Sequence, residues 1–134
     1  MAHKEEINFY YRRTDIQVYN TLNFAPLFSD LQFNNIIGQL NSANNLVVYS
    51  EENELNTFLS SIWYFYLDNN VTNKKDSITM NLTGYNASVK SILDPGFFIF
   101  QIIAGEGKYQ GASGKVYLYI DKNLIRYFKI IVNY

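Results

Sequence analysis

No cysteine occurs in the 134 residues. That excludes a disulfide framework, a thiolate nucleophile, iron–sulfur clusters and cysteine-based zinc sites. Histidine occurs once, at His3 in a terminus prone to fraying, so a His-based metal site or a Ser-His triad lacks its parts. No metal and no cofactor is expected. Charge of one sign is lacking too: eleven basic residues against twelve acidic ones leave a net charge of -1. With the basic residues dispersed, nothing draws in nucleic acid. Long hydrophobic runs are also missing. Ile62–Leu67 and Phe97–Phe100 fall far short of a membrane span and carry no flanking basic clusters. The opening Met1-Ala-His-Lys-Glu-Glu has no apolar h-region, so the default expectation is a soluble protein kept inside the cell. There is no linker, charge block or internal repeat. The length suits one domain over residues 1–134, able to bury about two-thirds of its unfolded surface.

Aromatic residues are plentiful, with twelve Tyr and ten Phe, and there are only two prolines, a balance that suits strands. Asp68-Asn69-Asn70, Thr83-Gly84-Tyr85-Asn86, Asp94-Pro95-Gly96 and Asp121-Lys122-Asn123 are turn clusters. Between them lie short runs rich in β-branched and aromatic residues: Ile7–Arg12, Leu46–Ser50, Phe58–Leu67, Ser77–Leu82, Ala87–Leu93, Phe97–Ile103, Lys115–Ile120 and Leu124–Val132. So many strands in one small domain predict an all-β barrel or sandwich. Two stretches also permit helices. Ser50 could cap Glu51–Ile62, although the ring-rich Ile62–Tyr66 favours a loop followed by a strand, and Phe28–Leu40 admits a helical reading. Seventeen asparagines yield three glycosylation tripeptides, at Asn70, Asn81 and Asn86; chance alone supplies about two.

The strongest strands are apolar on both faces. Ile62/Tyr64/Tyr66 and Trp63/Phe65/Leu67 are both greasy sets, and the same holds for Phe97–Ile103 and Val116–Ile120. Such strands need cover on both sides. With few helices to supply it, the outer cover is expected from sister copies, making self-association the first functional inference.

Few residues suggest chemistry. Gly105–Lys115 looks like a phosphate loop, but Lys115 is followed by Val116 and Tyr109 stands where a Walker glycine belongs; the dinucleotide spacing fails at Gln110. The glycines Gly105, Gly107, Gly111 and Gly114 read instead as a structural loop of positive φ and close approach. Asp76, Asp94 and Asp121 sit in turns, where a carboxylate caps its own backbone. Glu51, Glu52 and Glu54 lack calcium-loop spacing. Strand alternation would put Arg13 on the side of Ile7, Phe9 and Tyr11, facing into a barrel and in need of Asp15 or a bound anion as partner; a surface position at the barrel edge is nonetheless the favoured reading.

Gly105-Glu106-Gly107-Lys108-Tyr109-Gln110-Gly111-Ala112-Ser113-Gly114-Lys115-Val116 resembles the glycine-rich segment, roughly Gly-Gly-Thr-Gly-x-Tyr/Phe-x-x-Ala-x-Gly-x-Val, of the dirigent and allene oxide cyclase barrel proteins. Ile7–Arg13 is similar to the Phe-Tyr-x-His-Asp first strand of dirigent proteins, and Arg126–Val132 to their last strand. The resemblance implies an eight-stranded antiparallel barrel of calycin-like build. It also implies trimeric assembly and an apolar cavity in which a reactive intermediate is steered by position alone, without a cofactor. Arg13 stands where the dirigent strand has its acid, no arginine lies near Gly38-Gln39-Leu40, and Ala104 replaces the first loop glycine. A guanidinium keeps its proton and cannot serve as an acid. The resemblance is therefore taken to carry the fold and the loop glycines, not the catalytic residues.

The function expected on these grounds is an oligomeric barrel, non-enzymatic or weakly catalytic, holding a small apolar or aromatic ligand. Phe9, Tyr11, Tyr64 and Tyr66 would be its wall and Arg13 an anchor for an acidic head. Core packing outweighs ligand contact for each ring taken singly. The alternatives are a cyclase or isomerase acting on an unstable lipid or phenolic intermediate, and a building block whose barrel is filled.

Overall fold

A computed structural model describes residues 3–19, 22–51, 54–67, 76–85 and 95–134, with side chains over the same residues except 13, 44–60 and 82–85. Nine strands follow in chain order: β1 Lys4–Tyr11, β2 Gln17–Tyr19, β3 Leu22–Phe28, β4 Ile36–Glu51, β5 Glu54–Tyr66, β6 Ser77–Tyr85, β7 Gly96–Glu106, β8 Ser113–Ile120 and β9 Arg126–Asn133. All pairings are antiparallel, in the order β1-β9-β8-β7-β6-β5-β4-β3-β2. A further pairing of β1 with β3 through Tyr10 and Phe28 closes eight of these strands into a barrel, leaving β2 as a flap on β3. Closure removes the free edges that an open sheet would expose.

On β1, β8 and β9 the alternation becomes inside against outside. On β9, Arg126, Phe128, Ile130 and Val132 are buried and the residues between them half-buried. Ile78 and Met80 of the cleanly alternating Ser77–Leu82 run lie in the core. No helix occupies 28–40: β3 ends at Phe28, and the Asp30 carboxylate accepts the backbone N–H of Asn34 (3.1 Å) and Asn35 (3.0 Å), fastening a turn that launches β4. Glu51 and Glu54 pair across the β4–β5 hairpin, so the Ser50 cap reading is also replaced by strand. The expected strand Ala87–Leu93 lies outside the described residues. Pro26 sits in β3 between Phe24, the last residue paired with β2, and Phe28, the one paired with β1; there a missing N–H breaks no ladder bond on that side.

Candidate functional site

The barrel's middle is packed with rings. Phe9, Phe65 and Phe128 are fully buried, with centroids 5.4 Å (Phe9–Phe65), 5.3 Å (Phe9–Phe128) and 5.1 Å (Phe65–Phe128) apart. Tyr11 stacks on Phe128 at 5.6 Å and Trp63 meets it edge-on at 6.0 Å. Separations of this order are those of attractive aromatic pairs in contact, so these rings pack against one another. Polar groups are buried beside the rings: Trp63 Nε1 donates to Ser61 Oγ at 2.6 Å, and Asn23 Nδ2 to Ser42 Oγ at 3.4 Å.

The four candidate wall rings are not brought together. Phe9 and Tyr11 point inward. Tyr64 and Tyr66 occupy the opposite face of β5 from the buried Trp63 and Phe65; they stack on one another at 6.4 Å, half-buried on the outside. Burial, followed by the nearby Glu106, raises the Tyr66 phenol. β1 stops at Tyr11, so strand alternation does not extend to Arg13, which lies in the 3-10 turn Arg13–Asp15; its side chain is outside the described residues. Arg12 pairs with Asp15, Nε to Oδ2 at 2.7 Å and Nη2 to Oδ1 at 3.3 Å.

The glycine segment forms the β7–β8 connection. Gly107, Gly111 and Gly114 have φ of 65°, 76° and 131°, in the region side chains avoid. Gly105 needs its bare Cα for another reason: a Cβ there would drive into the Tyr109 carbonyl. The loop thereby buries Tyr109, whose phenol is pushed far up, chiefly by desolvation and then by the charges of Glu5 and Asp76. Tyr134 Oη donates to Glu5 Oε2 at 2.8 Å, and the Tyr109 and Tyr134 rings meet edge-on at 5.1 Å, tying the chain's last residue to this corner. Among the described residues no cluster of three or more His, Asp or Glu could hold a metal ion.

Two features escaped the sequence reading. The first is Arg126, 4 % exposed, whose Nη1 donates to the Leu124 carbonyl at 3.2 Å and whose guanidinium carbon lies 5.5 Å from the Tyr11 ring centroid. The signal was present, because Arg126 precedes Phe128, Ile130 and Val132 on the same alternating set. The second is a hollow of about 410 Å³ lined by Arg12, Thr14, Asn123, Leu124 and Ile125, where the end of β1 faces the β8–β9 turn. Those residues are far apart in sequence, and the pairing of β1 with β9, Tyr11 opposite Arg126, joins them.

The outer surface carries its own aromatic row. Phe97, Tyr119, Tyr127 and Tyr10 stand in register across β7, β8, β9 and β1, with centroids 4.6, 5.7 and 5.0 Å apart in that order. Phe97, Ile99, Ile103 and Tyr119 are between 41 and 54 % exposed. Polar neighbours thread the row: Tyr127 Oη donates to Asn8 Oδ1, and Lys129 pairs with Glu6 at 3.3 Å.

No family model matches the sequence, and no curated protein is similar to it. Solved structures do match. Among them is the pterocarpan synthase dirigent protein GePTS1, with a TM-score of 0.56 over 99 % of this chain and 91 % of that one, at 13 % identity. The fold is dirigent-like. At that identity the shared property is the closed eight-stranded barrel itself, which the glycine-loop resemblance implied. Among the described residues of this dirigent-like barrel, Phe9, Phe65 and Phe128 are fully buried and in mutual contact.

Proposed function

We propose that this chain is the protomer of a homo-oligomeric dirigent-like barrel that associates through the outer face of β7, β8, β9 and β1. The observation that carries this is the outer row of exposed Phe97 and Tyr119 and half-buried Tyr127 and Tyr10, flanked by exposed Ile99 and Ile103. Four strands about 4.8 Å apart and about six residues long at roughly 3.3 Å each span about 400 Å². That matches the largest apolar patch an ordinary monomer shows and supplies about half of the ~800 Å² per partner in a standard interface. Tyr and Phe are enriched at interface centres, and the Lys129–Glu6 pair supplies rim polarity of both signs. A trimer is the assembly the dirigent resemblance implies. Sedimentation should give a mass above the monomer's 15.6 kDa at micromolar concentration, and Ile99→Lys with Tyr119→Lys should return it to that value. A wild-type chain that sediments as a monomer refutes the reading.

A second element of the reading is that the barrel holds a small apolar ligand without chemistry. The hollow beside Arg12 and Leu124 favours it over a deep interior pocket, because the centre is packed. A cyclase or isomerase would need a proton donor facing its substrate. The guanidinium of Arg126, buried on the inner face, cannot be that donor.

A further inference from the structure

The β8–β9 turn is held in a strained form. Asp121 Oδ1 accepts the backbone N–H of Asn123 and of Ile125, both at 2.9 Å, and Leu124 N donates to the Asp121 carbonyl at 2.9 Å. This geometry forces Leu124 to a φ of 63°, a conformation glycine or asparagine would adopt more cheaply. Phe33 is the other non-glycine residue at positive φ (58°) among the described residues. Both converge on one place: the Phe33 ring lies 4.2 Å under the Arg12 guanidinium, while Leu124 and Arg12 line the same hollow. Backbone strain of this kind persists where the surroundings over-determine it, and it clusters at ligand sites.

The arginine itself is oriented. Its flat face packs on Phe33, and Asp15 takes the Nε and Nη2 hydrogens along one side. A guanidinium has five hydrogens in a fixed fork, so the edge formed by Nη1 and the second Nη2 hydrogen is left for another pair of acceptor oxygens. The Asp121 carboxylate, the nearest acid in the turn, is occupied by two backbone amides. Thr14 and Asn123 add a hydroxyl and an amide to the lining, and Leu124 and Ile125 add apolar wall. Arg126, bonded to the Leu124 carbonyl, brings a second positive charge to this end of the barrel. A volume of about 410 Å³, with mostly apolar wall and few directed donors, has the character of a small-molecule pocket.

We infer that this hollow is a binding site for a small aromatic or aliphatic carboxylic acid, its carboxylate on the open edge of Arg12 and its apolar body against Leu124 and Ile125. The inference rests on the ligand-holding part of the function proposed above and supplies its place and its chemical class. The acid head is specified by the fork: two parallel N–H donors match two carboxylate oxygens, whereas a neutral amide offers only one acceptor.

The test is calorimetric titration of the full chain with 2-naphthoate and with 2-naphthamide. Saturable binding of one naphthoate per chain is expected, at least tenfold tighter than the amide. Arg12→Gln should erase that preference. Since Arg12 also packs on Phe33, a second variant guards against misfolding: Thr14 is solvent-exposed, and Thr14→Trp should fill the hollow and abolish binding while the melting temperature stays near wild type. Equal binding of acid and amide, or naphthoate binding undiminished in Thr14→Trp, overturns the site while leaving a ligand elsewhere in the barrel. Absence of saturable binding overturns both, and sedimentation of the same samples reports separately on assembly.

Discussion

The glycine loop offers the sharpest perturbation, because three of its glycines are required for different reasons. At Gly114, φ is 131° and a Cβ would run into the Ile131 carbonyl oxygen, with the Ile131 carbonyl carbon 3.1 Å and Val132 Cα 3.3 Å away. Every obstacle is backbone of β9, so nothing can swing aside. Backbone strain in this region costs about 1–3 kcal/mol, and forcing extra volume into a packed contact costs about 1–3 more. Gly114→Ala should therefore lose about 3 to 5 kcal/mol, a large part of the roughly 5–15 kcal/mol that holds an ordinary domain. Gly105→Ala keeps an ordinary φ but meets the Tyr109 carbonyl and, at 3.0 Å, the Ala112 Cβ, so only the packing cost of about 1–3 kcal/mol applies. At Gly111, φ is 76° yet nothing lies within 4 Å of a new Cβ. Gly111→Ala should cost only the left-handed penalty, about 1–2 kcal/mol. Urea unfolding reads the order directly: with a slope of about 2 kcal/mol/M, the midpoint falls by about 2 M for Gly114→Ala and by about 0.5–1 M for Gly111→Ala. Equal losses at Gly111 and Gly114 would refute the claim that close approach of β8 to β9 is what the segment encodes.

Phe128→Ala should cost about 3–5 kcal/mol, since the ring is fully buried among Phe9, Tyr11, Trp63 and Phe65. Lys129→Met, one residue along on the outer face, should leave the denaturation midpoint near wild type because the Lys129–Glu6 pair is exposed; denaturant curves of both variants check the contrast. The Tyr109 phenol is held protonated by burial, so its folded pKa lies above the ordinary value of 10.0. Its contribution to stability is complete below that value and is lost as pH rises beyond it, as the unfolded chain ionises first. Melting temperatures between pH 8 and 11 should fall above pH 10, and less steeply in Tyr109→Phe; an unchanged slope in the variant would place the effect elsewhere.

Much of the barrel was legible residue by residue. Ser77–Leu82 announced a strand with one dry face, and Ile78 and Met80 fill it. The glycines of 105–114 announced positive φ and close approach, and have both. Strand β3 was harder to see, because its Asn23 and Pro26 lower β propensity, and pairing with β4 decides the matter instead. The candidate site divided in the same way. Phe9 and Tyr11 were placed correctly by alternation, but alternation cannot say which of two apolar faces is the inner one. Hence Tyr64 and Tyr66 were expected beside Phe9, whereas Trp63 and Phe65 took the inside. Arg13 was expected on a strand that ends two residues earlier.

Local chemistry, then, settled where this chain extends and where it turns, since β-branched and aromatic runs, alternation and glycine dihedrals act over a few residues. Closure settled the rest. The single Tyr10–Phe28 pairing that joins β1 to β3 converts two-sided strands into an inner wall and an outer belt. The β1–β9 ladder, with Tyr11 opposite Arg126, in turn sets Arg12 beside Leu124, more than a hundred residues along the chain. Side-chain volume explains why: only one face of each strand fits inside an eight-stranded tube, and which one depends on what the other strands put there.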